Sequence, residues 1–395
     1  MPFKLLTLNA ISVKGLDRLP RDSYEIASEF SSPDAILLRS HKLQPAEIAQ
    51  SVLAIGRAGA GTNNIPIDYC SSKGIPVFNS PGANANAVKE LVAAGLLLGS
   101  RGIVEGVQWV NTLTDHNDKA ALNTLLEAQK KLFKGSEIQG RTLGVVGLGA
   151  IGSLVADMAL QLGMNVVGYD PALSVEAAWR LSSQVQRAEN LSSLFARSDF
   201  ITLHLPVLDS TRDLVNAELL GAVKPGTKLL NFARQEIVHE ESLIAALESG
   251  NLAAYIADFP TPALIGRKDV ILMPHIGAST DEAEDNCAIM AAEQLKDFLE
   301  NGNIKNSVNF PSLSLERTAG CRISVTNNNV PKILGSVLSV LADADINVAD
   351  MLNKSRGELA YNLIDVEACP DEATLARIQS IEGVVNVRLI GPPRA

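Results

Sequence analysis

Glycines at 147, 149 and 152, set between an apolar run and a helical pattern, leave few folds open to this chain. Residues 141–170 read RTLGVVGLGAIGSLVADMALQLGMNVVGYD. The run 143–146 predicts a strand, G-x-G-x-x-G a tight turn, and 150–162 a helix. Gly147 permits the turn, Gly149 lets backbone approach a pyrophosphate, and Gly152 packs helix on strand. Ala150 and Ile151 open the helix, whose free N–H groups and positive dipole end hold phosphates without a lysine. The next apolar run, 165–169, ends in Asp170. A carboxylate there suits the adenosine ribose hydroxyls and repels the extra phosphate of NADP, so the cofactor expected is NAD. Arg180 and Arg187 are cations within reach of the same region.

At 395 residues the chain exceeds what one core usually serves, so two or three domains are expected. Apolar runs at 35–38, 52–55, 76–78, 143–146, 166–169, 200–203, 229–232 and 271–273 alternate with amphipathic stretches, the pattern of an α/β fold. Two doubly wound units follow, one before the glycine motif and one containing it, joined near 89–101. A long amphipathic helix, 281–301, can carry the chain back to the first unit, and 306–315 reads as a loose linker. Beyond it, strand-like and helix-like stretches run βαββαβ, the order of a small ferredoxin-like module. The domains are placed at 1–95 with 281–312, 96–280, and 318–395.

Lys plus Arg at 34 against Asp plus Glu at 44 gives a net charge of −10, which speaks against a nucleic-acid or membrane-surface partner. Cys70, Cys287, Cys321 and Cys369 show no C-x-x-C spacing, so neither a metal site nor a disulfide framework is expected, and a reducing cytoplasm fits. The first ten residues read as a strand rather than a signal peptide, and no apolar run is long enough to span a bilayer.

Two strand ends carry the chemistry. Asn231-Phe232-Ala233-Arg234 places a guanidinium where doubly wound proteins hold ligands, suited to clamping a carboxylate in two parallel bonds. Pro274-His275-Ile276-Gly277 places an imidazole at another strand end, able to take a hydroxyl proton as hydride leaves. Taken alone, Arg234 reads sooner as a surface ion-pair partner, and His275 as a turn residue or helix cap. Together, downstream of a dinucleotide motif, they point to a dehydrogenase.

GLGAIG, Asp170, His204-Leu205-Pro206, NFAR and PHIGAST resemble, in order and spacing, the D-isomer-specific 2-hydroxyacid dehydrogenases, and the last module looks like an ACT domain. The likeness includes GAGTNN (59–64) and GIPVFNSP (74–81). It implies two Rossmann-like domains, a split substrate domain with the NAD domain inserted, and a C-terminal ACT module. The combination is similar to the branch that oxidises 3-phospho-D-glycerate to 3-phosphooxypyruvate at the start of serine biosynthesis. Other outcomes are a glyoxylate or hydroxypyruvate reductase, or a non-catalytic NAD sensor.

By that resemblance, Arg234 binds the substrate carboxylate and His275 is the general acid/base. Arg39, Ser40, Arg57, Gly59 and Asn84 fall on the substrate side, His204 and Pro206 beneath the adenine and Asp258 beside the nicotinamide, with Ala233 and Gly277 also binding the cofactor. Arg39, Arg57 and Lys89 are the candidate cations for a phosphate, Lys89 reading equally as part of a solvated helix face, while Lys130, Lys131 and Lys134 read as a solvated cluster or a subunit contact. A homodimer or homotetramer is expected. One departure concerns the base: the family's D-V-F-x-x-E-P supplies a glutamate to the histidine, whereas this chain has Asp258-Phe259-Pro260-Thr261-Pro262-Ala263. A carboxylate partner raises a histidine's basicity and fixes its tautomer, so Asp258 is expected to turn toward the imidazole in the glutamate's place. In the last module, Asn329 and Asn347 match asparagines that hold serine as an effector, but Lys332 stands where that pattern has glycine.

Overall fold

The computed structural model describes residues 2–317 and 320–392, apart from the side chains of Glu176 and Arg180. Arg180 as a rival for the ribose region therefore lies outside what is described. The chain divides into two compact units, 1–84 with 281–395, and 85–280.

The first unit is built on a five-stranded parallel sheet of order β2-β1-β3-β4-β5. Its strands are β1 Phe3–Leu8, β2 Tyr24–Ala27, β3 Ala35–Leu38, β4 Ala54–Arg57 and β5 Val77–Phe78. The run AILL of β3 is buried throughout, as a strand covered on both faces must be. The returning helix, Asp281–Asn301, carries Asp281, Glu282 and Glu284 in its first turn, where the dipole favours acids. Its buried stripe includes Ala288, Ala291, Ala292, Leu295 and Phe298. Small residues let neighbours come close: a Cβ on Gly15 would sit 2.6 Å from the Ala288 backbone.

The second unit holds a seven-stranded parallel sheet, order β12-β11-β10-β9-β6-β7-β8. The strands are β6 Thr142–Val146, β7 Asn165–Tyr169, β8 Gln186–Arg187, β9 Phe200–Leu203, β10 Thr227–Asn231, β11 Leu252–Ala257 and β12 Val270–Leu272. The order reverses between β6 and β9, which makes the carboxyl ends of those strands the ligand crevice of a doubly wound sheet. The chain enters this unit at Ala85, within the region of 85–100 that forms one helix, so the expected boundary at 95 falls inside an element.

The third sheet is antiparallel, order β14-β15-β13-β16, with β13 Cys321–Asn328, β14 Val348–Arg356, β15 Leu359–Val366 and β16 Val384–Ile390. Helices Ile333–Asp343 and Glu372–Gln379 complete the βαββαβ module. It is grouped with the first unit. Tyr361 and Leu363 of β15 join the same core as Leu5, Phe78 and Phe298.

Two expectations are overturned. The stretch 306–315 is packed rather than loose: Phe310 and Leu313 are buried, and Asn309 bonds Val77 N (2.8 Å), Ile75 O (2.9 Å) and Ser71 Oγ (3.1 Å). Its serines and proline signalled a linker, but Asn309 fixes it as an extra edge contact to β5. Cys321 and Cys369 form a disulfide with Cα atoms 5.2 Å apart. They are 48 residues apart in sequence, and only the pairing of β13 with β15, Cys321 opposite Val366, brings them together. The other two thiols are buried and free; burial pushes Cys70 up to about 12.

Candidate active site

The glycine turn is built as the motif requires. Gly147 has φ +89°, and a Cβ there would press on the His204 carbonyl, with its carbon 2.9 Å away. Gly149 caps the helix Ala150–Gln161 and faces open space, while Gly152 abuts the Gly147 carbonyl. Ala150 and Ile151 form the first helical turn. Asp170 ends β7 and ties the turn down, accepting from Leu148 N (2.8 Å) and Ala172 N (2.9 Å). Beside it, Asp170, Pro171, Trp179 and Arg187 help line a cleft of about 930 Å³.

His204 follows β9, its Nε2 3.0 Å from Thr202 Oγ1 and its Nδ1 buried without a partner. Burial pushes this imidazole down to about 3, so it is neutral at physiological pH. Pro206 is exposed two residues on. An unsatisfied buried nitrogen, an open backbone cradle at Gly149 and a helix N-terminus together fit a dinucleotide. Gly147, Gly149, Ala150, Ile151, Gly152 and Asp170 would hold its pyrophosphate and ribose, with His204 and Pro206 on the adenine side.

Arg234 stands past the end of β10, partly buried. Its Nη1 donates to Ala233 O (2.6 Å), and among the described residues no carboxylate pairs with it. Asn231, fully buried, shapes this corner: its Nδ2 reaches Arg234 O (2.8 Å) and Tyr255 Oη (3.1 Å), and its Oδ1 accepts from Ala233 N (3.1 Å). Sequence reasoning named neither Asn231 nor Tyr255 as supports. An asparagine ending an apolar run was the available signal, since a buried amide must find partners.

His275 stands past the end of β12, exposed, with φ +59°. Its ring packs against Phe259, centroids 4.9 Å apart. Asp258, only 1% exposed, does not pair with that ring. Its Oδ1 accepts from Ile276 N (2.8 Å) and its Oδ2 from Gly277 N (2.6 Å). This departs from the expected carboxylate–imidazole pair, and the reason is local. The left-handed residue 275 turns the next two amides to one side, a concavity that binds an anion, and Asp258 fills it. Asp258 thus fixes the backbone that carries the imidazole. A Cβ on Gly277 would lie 3.0 Å from Asp258 Oδ2, a tight approach that glycine avoids.

The substrate-side candidates of the first unit cluster around β3 and β4. Arg57 Nε and Asn64 Nδ2 both donate to Arg39 O (3.1 Å each), while Arg39 Nη2 meets Glu284 Oε1 at 2.7 Å. Ser40 is exposed beside Arg39. Gly59, at φ +153°, leaves room for the Arg57 guanidinium. Asn84 Oδ1 is buried without a partner. Lys89 lies in the second unit and donates to Asn86 Oδ1 (2.5 Å).

In the module, Asn329 and Asn347 are exposed; Asn329 Nδ2 donates to Gly357 O (3.2 Å), and Asn347 O accepts from Glu367 N (3.1 Å). Lys332 adopts φ +79° at the helix N-cap, the backbone that glycine supplies freely. Among the described residues no metal-binding cluster is found and no helix is long and apolar enough to cross a membrane.

Fold and site define an NAD-dependent oxidoreductase acting on a CH–OH group. Residues 100–277 match the model for the D-isomer specific 2-hydroxyacid dehydrogenase NAD binding domain. The D-3-phosphoglycerate dehydrogenase of Escherichia coli is 35% identical over 87% of this chain and 82% of its own. That of Haemophilus influenzae is 31% identical over 97% and 93%. The NAD⁺-bound 3-phosphoglycerate dehydrogenase structure from Entamoeba histolytica superposes with a TM-score of 0.61 at 27% identity, covering 79% of this chain and all of that one. The chain belongs to the D-isomer-specific 2-hydroxyacid dehydrogenase family.

Proposed function

We propose that the chain oxidises 3-phospho-D-glycerate to 3-phosphooxypyruvate. The observation that carries this reading is an arginine without an acidic partner and an exposed histidine at the ends of β10 and β12, the strands flanking β11 in the cofactor-binding sheet. Arg234 would clamp the substrate carboxylate and polarise the C2 oxygen as it becomes a carbonyl. The hydroxyl proton would pass to an imidazole nitrogen of His275, which the Asp258-held backbone and the Phe259 ring keep in place. Bound NAD supplies the hydride acceptor. Relatives sharing most of this chain's length carry the phosphoglycerate name, and Arg39 and Arg57 are the guanidinium groups a phosphate preference would require. Val107 and Val110, exposed on the helix Ile103–Val110, support a homo-oligomer formed through the second unit.

NADH oxidation by purified protein tests the reading, comparing 3-phosphooxypyruvate with hydroxypyruvate, glyoxylate and 2-oxoglutarate, each with and without serine. A strong preference for the phosphorylated acid is expected. Equal or better use of an unphosphorylated acid would replace the substrate and keep the chemistry. No turnover with any of them would favour an NAD sensor, consistent with a histidine that lacks a carboxylate partner.

A further inference from the structure

Where the C-terminal module meets the end of the helix Asp281–Asn301, a cavity of about 460 Å³ is lined by Phe3, Leu299, Glu300, Arg317, Arg388 and Ile390, among others. All belong to the first unit. Two guanidinium groups are committed here to backbone carbonyls alone. Arg388 Nη2 donates to Phe298 O (2.6 Å), and the group lies over the Phe298 ring, 4.5 Å from its centroid. Arg317 donates to Glu300 O (2.9 Å), Ile390 O (3.2 Å) and Gly391 O.

Neither arginine forms a salt bridge among the described residues. Glu300, the one carboxylate in the lining, accepts from the Tyr24 hydroxyl (2.8 Å) and supplies one negative charge against the two guanidinium groups. Arg388 Nε and Nη1 and Arg317 Nε are sealed from water and have no acceptor. Burial and the neighbouring Arg317 charge push the Arg388 guanidinium down from its usual range. A buried arginine nearby shows what satisfaction looks like: Arg322 faces Asp365 with two bonds (2.5 and 2.9 Å). Glu300 and the helix C-terminus together offset only part of the two positive charges, since the dipole amounts to about half an elementary charge. Unpaired buried charges and unmade hydrogen bonds are costly enough that proteins rarely keep them without a counter-ion.

We propose that this cavity binds a small oxyanion, a phosphate or a carboxylate, held by Arg388 and Arg317 at the seam between the C-terminal module and the first unit. The forked guanidinium suits both oxyanions, and rotation about the terminal side-chain bonds would bring the sealed N–H groups to the ligand. Its occupancy would tie the module more firmly to the unit beneath it.

The test is the thermal midpoint of the full chain in Tris chloride with saturating NAD, titrated separately with inorganic phosphate and with succinate. NAD fills the phosphate site at the glycine turn, so any rise is read elsewhere. The midpoint is expected to rise with at least one of the two anions, and which one does so identifies the ligand class. The rise should vanish in Arg388→Met and persist in Arg57→Met, which alters the substrate-side cations. Should Arg388→Met not fold, Arg388→Lys keeps the charge without the fork and is expected to weaken anion binding about tenfold. No rise with either anion, or an undiminished response in the Arg388 variant, would overturn the site.

Discussion

Arg234 and Arg322 are the same side chain placed at a sheet and treated in opposite ways. Arg322, wholly buried, meets Asp365 and the carbonyls of Asn301, Leu315 and Glu316. Arg234 spends one nitrogen on a neighbouring carbonyl and keeps the rest of its fork available. The paired arginine fixes how the module sits on the first unit. The unpaired one can exchange water for a substrate carboxylate. An arginine whose five N–H donors are all spent within the chain has no capacity left for a ligand, and that is the physical difference between a structural and a chemical charge in this molecule.

The comparison would break most visibly at the buried pair. Asp365→Ala strands the Arg322 charge and should cost about 3–5 kcal/mol in urea unfolding; an unchanged midpoint would mean that the pair does not hold the seam. Arg234→Met should leave that midpoint in place and lower kcat/KM by roughly 10²–10³-fold, the usual loss when one charge-stabilising donor is removed. Equal damage to stability and rate would make Arg234 structural as well.

Asp258→Asn lies between the two extremes, since its carboxylate serves the backbone of the catalytic histidine. One of the two amides loses its acceptor, at about 1–3 kcal/mol, and kcat should fall with little change in KM. Fast turnover in a destabilised variant would separate the carboxylate from the catalysis.

Acid stability isolates His204. Its folded pKa, pushed down to about 3, lies below the ordinary 6.5 of the unfolded chain, so the unfolded state binds the proton first. The stability is fully present above about pH 6.5 and is lost as pH falls toward 3. Thermal midpoints without cofactor at pH 7 and 5.5 should differ by an amount equivalent to about 1 kcal/mol more in the wild type than in His204→Gln. The smallest effect is expected at Lys332. Replacing it by glycine relieves about 1–2 kcal/mol of left-handed strain and adds about 0.5–1 kcal/mol of unfolded-state entropy, a net gain of roughly 0.5 kcal/mol.

What could be read from sequence follows the same division. The glycine turn, Asp170 and β9 were legible because their constraints are local: a short apolar run, a glycine at φ +89° and a terminal acid lie within one stretch of chain. The returning helix was legible through its periodicity. Strand β11 was missed because LAAYIA is alanine-rich and lacks the β-branched pattern, although Tyr255 and Ile256 bury it. That miss concealed where Asp258 would point, since it directly follows β11. The disulfide, the anchoring of 306–315 and the Arg322–Asp365 pair join residues far apart in sequence, and no spacing rule records such neighbours. The seam is therefore a product of tertiary packing and was invisible beforehand.

The most direct test of the account is NADH-dependent reduction of 3-phosphooxypyruvate by wild type, His275→Asn and Arg234→Met, with NADH binding followed in parallel by fluorescence. The account predicts that both variants bind NADH as the wild type does and lose nearly all turnover, His275→Asn mainly in kcat and Arg234→Met also in KM. Wild-type turnover in His275→Asn with cofactor binding intact would contradict it.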